Sequence, residues 1–164
     1  MNTRPSCLIN RVIALFEQIP YSLIAFLARF SIAAVFWKSG QTKVEGFAID
    51  LISGTFQLGE PKLAASTLPL FRSEYHVPLL SPEVAAPMAA FAEHFFPVLI
   101  LVGFATRFSA LALIGMTLVI QLFVYPDAYP THGVWAAVLL LLVAKGPGLL
   151  AIDQLIARRY GYAG

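Results

Sequence analysis

The sequence predicts an all-α membrane protein: a bundle of four transmembrane helices, an interfacial helix at each terminus, and a long outer loop between helices 1 and 2. Of the 164 residues, 59% are hydrophobic and only 12% are charged, whereas soluble domains carry about 25% charged residues. The mean hydropathy is +0.76, and the apolar residues form four long runs. So few charges cannot cover a water-facing surface, so we expect one transmembrane domain over residues 1–164.

The first predicted element is an amphipathic helix on the membrane surface. Apolar residues recur at helical spacing, with polar residues mostly on the other side: Leu8, Val12, Leu15, Phe16 and Ile19. Pro20 marks the end of this helix. A cleaved signal peptide is not expected, because the first long apolar run starts late, contains Arg29 and is not followed by a cleavage site.

Four spans follow, at about residues 21–38, 84–104, 108–125 and 132–150. Only Thr106 and Arg107 interrupt the apolar character between spans 2 and 3, which predicts a tight antiparallel turn. The apolar run of span 4 is short against the ~20 residues that a bilayer requires, so we expect residues 146–150 to complete the crossing beyond a snorkelling Lys145. The Gly146-Pro147-Gly148 segment should break the helix, and a short interfacial helix should follow it.

The outer loop, residues 41–83, is the one long polar stretch, and it holds five of the nine acidic residues. Residues 44–58 could form a small hairpin and residues 67–75 a short helix. A loop of this length is often functional, and here it could be a lid over one face of the bundle.

The distribution of Lys and Arg predicts the orientation. With the N-terminus inside, six basic residues lie on the inner side (Arg4, Arg11, Arg107, Lys145, Arg158 and Arg159) and four on the outer side (Lys38, Lys43, Lys62 and Arg72). This bias favours cytoplasmic termini and an external loop.

Arg29 and Glu93 are the most informative residues, because a charge deep in a bilayer costs at least ~2.5 kcal/mol. Each lies nine residues into its predicted span, about 13 Å from opposite ends of the core, so we expect an Arg29–Glu93 ion pair. The pair would either hold spans 1 and 2 together or line a polar pocket, with Lys43 and His94 as further candidate ligand-binding residues. Adjacent helical residues point about 100° apart, so Glu93 and His94 cannot face the same spot.

Other polar residues suggest weaker hypotheses. Lys43 is either a snorkelling anchor or part of an anion or quinone-oxygen site. Gln121 could form a hydrogen bond across the bundle. Trp37 and Trp135 fit an aromatic belt at the outer interface.

Several functions are disfavoured. A net charge of +2 without a basic run argues against nucleic acid, and the single Cys7 cannot form an internal disulfide centre. The three histidines differ in depth, which argues against bis-histidine haem. A metal site built from His76, His132 and loop carboxylates is possible, but their spacing forms no motif, so no metal site is predicted.

Six short motifs follow one another along the chain: Arg29, Ser39-Gly40-x-x-Lys43, Glu93, Gly103-Phe104-Ala105-Thr106-Arg107, His132-Gly133 and Gly146-Pro147-Gly148-Leu149-Leu150-Ala151-Ile152-Asp153. Over roughly residues 21–155 this order resembles the DoxX family of small bacterial membrane proteins. The resemblance makes Gly40, Arg107, Gly146, Pro147, Gly148 and Asp153 candidate structural motif residues. Phe95-Phe96-Pro97 departs from the family pattern, which often has glycine there.

The resemblance implies a four-helix bundle in the bacterial inner membrane and a loose association with redox chemistry. Related proteins are quinone-linked parts of thiosulfate oxidation, partners of soluble oxidative-stress enzymes, or companions of metal-related peptide-modifying systems. The favoured hypothesis is a quinone-interacting or membrane-anchoring redox subunit, with quinone as the candidate ligand, electrons supplied by a partner, and no catalytic residue assigned.

Two alternatives remain open. The first is a non-enzymatic scaffold, with a protein partner or a second copy of the chain bound through the loop or the C-terminus. The second is a small transporter or metal-handling protein, which the lack of an internal repeat disfavours.

Overall fold

The computed structural model describes residues 5–50, 52–75 and 77–161. In this part of the chain the elements are α1 (Pro5–Phe16), α2 (Tyr21–Gln41), β1 (Val44–Asp50), β2 (Thr55–Leu63), α3 (Thr67–Ser73), α4 (Pro82–Val102), α5 (Thr106–Val119), a π-helical turn (Ile120–Val124), a 3₁₀ turn (Pro126–Ala128), α6 (Tyr129–Lys145) and α7 (Ile152–Arg159).

Four helical stretches of the described chain are long and apolar enough to cross a membrane: Tyr21–Gln41, Pro82–Val102, Thr106–Val124 and Pro126–Lys145. Their lengths of 19 to 21 residues match a hydrocarbon core of about 30 Å. The predicted four-helix membrane bundle is therefore confirmed, with a short β-hairpin added between helices.

Residues 146–150, which were expected to complete the fourth crossing, lie outside the fourth helical stretch. The fourth stretch begins at Pro126 rather than near His132 and ends at Lys145. Pro126 and Pro130 occupy first-turn positions, where a missing N–H group does not weaken a helix. The helical stretch therefore starts earlier than the apolar run suggests, and it reaches its full length before the expected break at Gly146.

The long loop contains the two elements expected of it. Strands β1 and β2 pair antiparallel, from Val44 opposite Leu63 to Asp50 opposite Thr55, so the hairpin extends beyond the predicted residues 44–58. At its tip the backbone N–H groups of Ser53 and Ile52 donate to the Asp50 carboxylate and lower its pKa. Helix α3 ends at Ser73, two residues before the predicted end.

The main core lies between α2, α4, α5 and α6. Its fully buried members include Ile32, Phe36, Ile100, Leu113 and Leu139. A second cluster joins Phe71 of α3 to Ala85 and Ala86 near the start of α4.

We name the two ends of the four-helix bundle the hairpin end and the turn end. The hairpin end comprises residues 39–43, 82–93 and 120–132, and the turn end comprises residues 21–29, 100–107 and 145–153.

Helices α1 and α7 fall where terminal helices were predicted. Apolar side chains of α1, including Leu8, Val12 and Phe16, are exposed. Leu155 and Ile156 of α7 are exposed as well. That both helices lie on the membrane surface stays a prediction.

Candidate functional site

Arg29 and Glu93 lie at opposite ends of the bundle, so the predicted ion pair between them is wrong. A Cβ at Gly40 would lie 3.1 Å from the Cβ of Glu93, and a Cβ at Gly103 would lie 2.7 Å from Nη1 of Arg29. Arg29 and Gly40 are eleven residues apart on α2, which is about 16 Å along the helix axis. The depth estimate failed because the first turns of α4 extend beyond α2 and pack against α3.

Arg29 binds the open end of α4. Its Nη1 donates to the carbonyl oxygens of Leu101 (2.8 Å) and Ile100 (3.4 Å), and its Nη2 donates to that of Leu150. The last carbonyls of a helix have no intrahelical donor and carry partial negative charge. A guanidinium that is only 1% exposed therefore has backbone oxygens as partners.

Asp153 binds the start of α5 across the same turn. Its two carboxylate oxygens accept from the backbone N–H groups of Ala105 (2.8 Å) and Thr106 (2.9 Å). Its own N–H group donates to the carbonyl of Gly103 at 2.8 Å. Gly103 has φ +73°, and a Cβ there would lie 2.5 Å from that of Ala151, so the turn requires glycine.

The segment after α6 completes this arrangement. The hydroxyl of Tyr21 donates to the carbonyl of Gly146 at 2.7 Å, and the N–H group of Leu149 donates to Oγ of Ser22. Nε of Arg107 donates to the carbonyl of Val143 at 3.0 Å. Most of these contacts join helix ends and turns. We call the residues of this region the clamp: Arg29, Gly103, Arg107, Gly146, Pro147, Gly148 and Asp153.

Lys43 and Glu93 form a buried ion pair at the hairpin end. Nζ of Lys43 lies 2.7 Å from Oε2 of Glu93, and the two side chains are 6% and 4% exposed. Ser39 bridges them, since its Oγ accepts from Lys43 and donates to Oε1 of Glu93, both at 3.0 Å. Among the described residues Oε2 is fully enclosed, and the group that it contacts is the ammonium of Lys43.

The helical spacing of α2 and the turn at its end place Ser39 and Lys43 together. Val35, Phe36 and Ser39 lie on one face of α2, and Lys43 follows on the same face because its N–H group bonds the carbonyl of Gly40. Within α4, Pro97 has no N–H group. The carbonyl of Glu93, four residues earlier, therefore lacks its usual helical donor.

A cavity of about 350 Å³ adjoins this ion pair. Its lining is predominantly apolar and comes from all four membrane helices and from the loop, including Phe36, Phe71, Met88, Met116 and Ile120. The polar lining residues are Ser39, Lys43, Tyr75, Glu93, Tyr125 and His132. Phe71, Tyr75, Val77 and Leu80 of the loop thus form part of the cavity wall, and a role of the loop as a lid stays a prediction.

His132 is a buried polar group of the cavity wall and lies on α6. It is 5% exposed, and its Nδ1 lies 2.7 Å from Oε1 of Gln121. Gln121 thus forms the expected interhelical hydrogen bond, with its Oε1 as the acceptor that faces His132. Trp135 packs against His132 with ring centroids 4.9 Å apart and against Phe36 at 5.4 Å.

Tyr125 connects the α5–α6 turn to the loop. Its hydroxyl donates to Oε1 of Glu74 at 2.5 Å and lies 3.4 Å from the hydroxyl of Tyr75. The hydrogen bond to the Glu74 carboxylate, followed by that to Tyr75, raises the pKa of Tyr125 above its usual value.

His94 faces away from the cavity, as its position next to Glu93 predicts. Its Nδ1 lies 2.7 Å from the carbonyl of Ala90, and its Nε2 lies 2.8 Å from Nε2 of Gln41. Oε1 of Gln41 accepts from the backbone of Ile49 at 2.8 Å. His94 therefore helps to hold the hairpin against α2 and α4.

No three His, Cys, Asp or Glu side chains within the described ranges lie close enough to hold a metal ion. His76, one half of the possible metal pair, lies outside the described residues.

Sequence reasoning found Lys43, Glu93 and the motif containing Ser39, but it missed that Tyr75, Tyr125 and Trp135 border the same cavity. The helical spacing of Val35, Phe36 and Ser39 was a usable signal for one wall. The positions of Tyr75 and Tyr125 depend on the packing of the loop, which leaves no periodic pattern.

The DoxX family model matches residues 24–126, well over half of the chain. The match includes Arg29, Lys43 and Glu93, whereas His132 and Asp153 lie beyond it. No curated protein and no solved structure matches the chain significantly.

Proposed function

The chain belongs to the DoxX family, and we propose that it binds a small amphipathic molecule of the quinone type as a membrane subunit of a redox system. The observation that carries this proposal is the buried Lys43–Glu93 pair at the edge of an apolar cavity. An ion pair with a purely structural role gains little over well-packed apolar residues. A pair that borders open space can also bind a ligand.

The cavity fits the ring of such a molecule. Its volume of about 350 Å³ lies at the lower end of the range for small-molecule pockets, about 300–1,000 Å³. Apolar walls with a few polar groups are typical of such sites. The volume suits a ring rather than a long tail, so the tail would extend toward lipid.

Lys43 can bind an oxygen of a quinone-type ring. The ammonium of Lys43 can donate to a carbonyl oxygen in place of its long 3.4 Å contact with the carbonyl of Ser39. Glu93 holds this ammonium at the edge of the cavity, since its Oε2 is enclosed and lies 2.7 Å from Nζ. In this proposal Arg29 and His94 support the fold and do not touch the ligand.

We place the site in the bacterial inner membrane with both termini in the cytoplasm, following the Lys and Arg bias. The hairpin end then faces outward. A single cysteine introduced at the hairpin tip (Ser53→Cys in a Cys7→Ser background) should react with an impermeant maleimide in intact cells, and labelling only after lysis would reverse this orientation.

Ligand binding can be measured through tryptophan fluorescence. Trp135 lines the cavity, whereas Trp37 donates to Ile49 of the hairpin. A Trp37→Phe variant in nanodiscs therefore reports on the cavity alone. A short-tail benzoquinone should quench it saturably, and Lys43→Met should weaken the apparent affinity about tenfold or more, as expected for a lost charged hydrogen bond.

Lys38→Met is the matched control, because Lys38 is an exposed lysine near the end of α2, five residues before Lys43. It should leave the quinone affinity within about twofold of the parent. Quenching that does not saturate, or equal losses in both lysine variants, would refute the proposal.

One observation favours the alternative of a scaffold that binds a soluble partner. Phe56 and Leu58 of β2 are 65% and 78% exposed, and Ile52 near the hairpin tip is 89% exposed. Large exposed apolar side chains often mark interaction surfaces. A partner that binds there should co-purify with the parent chain and be lost from a Phe56→Ser/Leu58→Ser variant that still binds quinone.

A further inference from the structure

We infer that His132 is a second ligand-binding residue of the cavity, with Nε2 accepting a hydrogen bond from a hydroxyl of the bound ring. The inference rests on the proposed quinone-type site and deepens it. It predicts that the cavity binds the reduced form of the ring, which carries hydroxyl groups, more tightly than a form whose hydroxyl groups are methylated.

The orientation of Gln121 determines which nitrogen of His132 carries the proton. Nε2 of Gln121 lies 2.6 Å from the carbonyl oxygen of Pro126. Only the amide nitrogen can donate to that carbonyl, so Oε1 is the atom that faces His132. Since Oε1 can only accept, Nδ1 of His132 at 2.7 Å must carry the hydrogen.

The neutral ring then has Nε2 as an acceptor. No hydrogen bond to Nε2 is present among the described residues, and the atom is not one of the fully enclosed polar atoms that lack a partner. Because His132 is 5% exposed overall and lines the cavity, the lone pair is available to a donor there. A neutral quinone carbonyl cannot supply this donor, but a quinol or phenol hydroxyl can.

The local backbone also indicates a ligand site. Gln121 lies in the π-helical turn Ile120–Val124, where the N–H group of Tyr125 bonds the carbonyl of Ile120. Such turns are rare and occur frequently at functional sites. A purely structural role, joining α5 to α6, would require only the hydrogen bond between Nδ1 of His132 and Gln121. It would not explain why the acceptor Nε2 lacks a partner beside the cavity.

The two polar positions are connected by aromatic side chains. Phe36 lies one helical turn before Ser39, its ring packs against Trp135, and Trp135 packs against His132. A planar ring that stacks along this wall could present one oxygen to Lys43 and another to His132. The expected ligand class is therefore an aromatic ring with two oxygens, at least one of them a hydroxyl.

The test compares three probes on the full chain in nanodiscs without oxygen: a short-tail benzoquinone, its quinol, and the bis-methyl ether of that quinol. The parent should bind the quinol about three- to tenfold more tightly than the ether, the size of one hydrogen bond. His132→Leu should reduce this ratio, measured within the variant, to about one. Gln121→Leu should reduce the ratio in part, because the imidazole of His132 loses the hydrogen bond that orients it.

A parent that binds quinone saturably but does not distinguish quinol from ether would overturn the inference and leave the proposed function intact. The same holds if His132→Leu keeps the preference. If none of the probes binds the parent, the proposed function fails and the inference with it.

A measurement on the parent removes the dependence on a folded variant. In ¹⁵N spectra of histidine-labelled protein, the resonance of the unprotonated Nε2 of His132 should shift with quinol and not with the ether. A resonance that quinol leaves unchanged, or a proton on Nε2 in the free protein, would also overturn it.

Discussion

The two ends of the bundle both bury charged side chains, but they pair them differently. At the turn end, Arg29 and Asp153 bind backbone carbonyls and N–H groups. At the hairpin end, Lys43 and Glu93 bind each other and Ser39 beside a cavity of about 350 Å³. Contacts with the backbone hold the chain in position. In contrast, paired side chains beside a cavity can replace a contact with each other by a contact with a ligand.

This comparison separates motif residues that maintain the fold from those that we propose bind a ligand. The clamp residues satisfy polar backbone groups at helix ends that would otherwise be unpaired. Variants of the clamp should therefore reduce stability at unchanged affinity. Variants of the ion pair should reduce affinity, and a neutral double variant should keep its stability.

The largest expected effect is on stability, in Arg29→Met. The substitution leaves the carbonyls of Leu101 and Leu150 without a donor, so we expect a loss of about 3–5 kcal/mol in the free energy of unfolding. Arg107→Met is the control, because exposed Arg107 has a single carbonyl partner, and it should cost about 1 kcal/mol. Denaturant titration in mixed micelles measures both, and equal losses would contradict the account of the clamp.

The next effect is the coupling between Lys43 and Glu93. Lys43→Met and Glu93→Gln each leave one buried charge unpaired, at roughly 3 kcal/mol. The double variant should recover most of that loss, because a neutral pair has no desolvation cost to offset. A parallel cycle for Arg29 and Glu93 should give coupling near zero at a depth difference of about 16 Å, and strong coupling there would restore the rejected ion pair.

Asp153→Ala should cost about 1–2 kcal/mol, the range for loss of a helix N-cap side chain. Asp153→Asn retains one acceptor oxygen and should fall between the alanine variant and the parent. Thermal unfolding followed by circular dichroism gives the order. An asparagine variant as unstable as alanine would show that the N–H contacts are not the source of the effect.

The smallest effect concerns the contact of Tyr125 with the loop. Because Glu74 and Tyr75 raise the pKa of Tyr125 above its unfolded value of about 10, the contact stabilises the fold below pH 10. This contribution is lost as the pH rises through the folded pKa. The stability difference between the parent and Tyr125→Phe should therefore shrink in alkaline solution, and a difference that grows with pH would contradict this sign.

The sequence predicted what depends on local pattern and missed what depends on register. Apolar runs and the Gly146-Pro147-Gly148 break gave the helices, and Val44–Leu63 formed the expected hairpin. The partner of Glu93 was wrong because the offset of α4 past the end of α2 depends on α3 packing against Ala85 and Ala86. Span lengths carry no information about that offset.

The site was predicted in the same partial way. Glu93 was a candidate polar group of a pocket because a charge in an apolar run is costly, and Lys43 was either a snorkelling anchor or part of an anion or quinone-oxygen site. Their direct contact was not expected, since Lys43 follows the end of α2. The role of Gln121 in orienting His132 depends on a π-helical turn that has no sequence signature here.

The most direct test of the difference between the two ends is quinone affinity in two variants of known stability. Lys43→Met/Glu93→Gln should unfold like the parent and lose saturable quenching of Trp135 in the Trp37→Phe background. Asp153→Ala should be less stable but bind with the parent's affinity at a temperature where it is folded. Wild-type affinity in the double variant, or a loss of affinity in folded Asp153→Ala, would contradict the assignment of binding to the hairpin end.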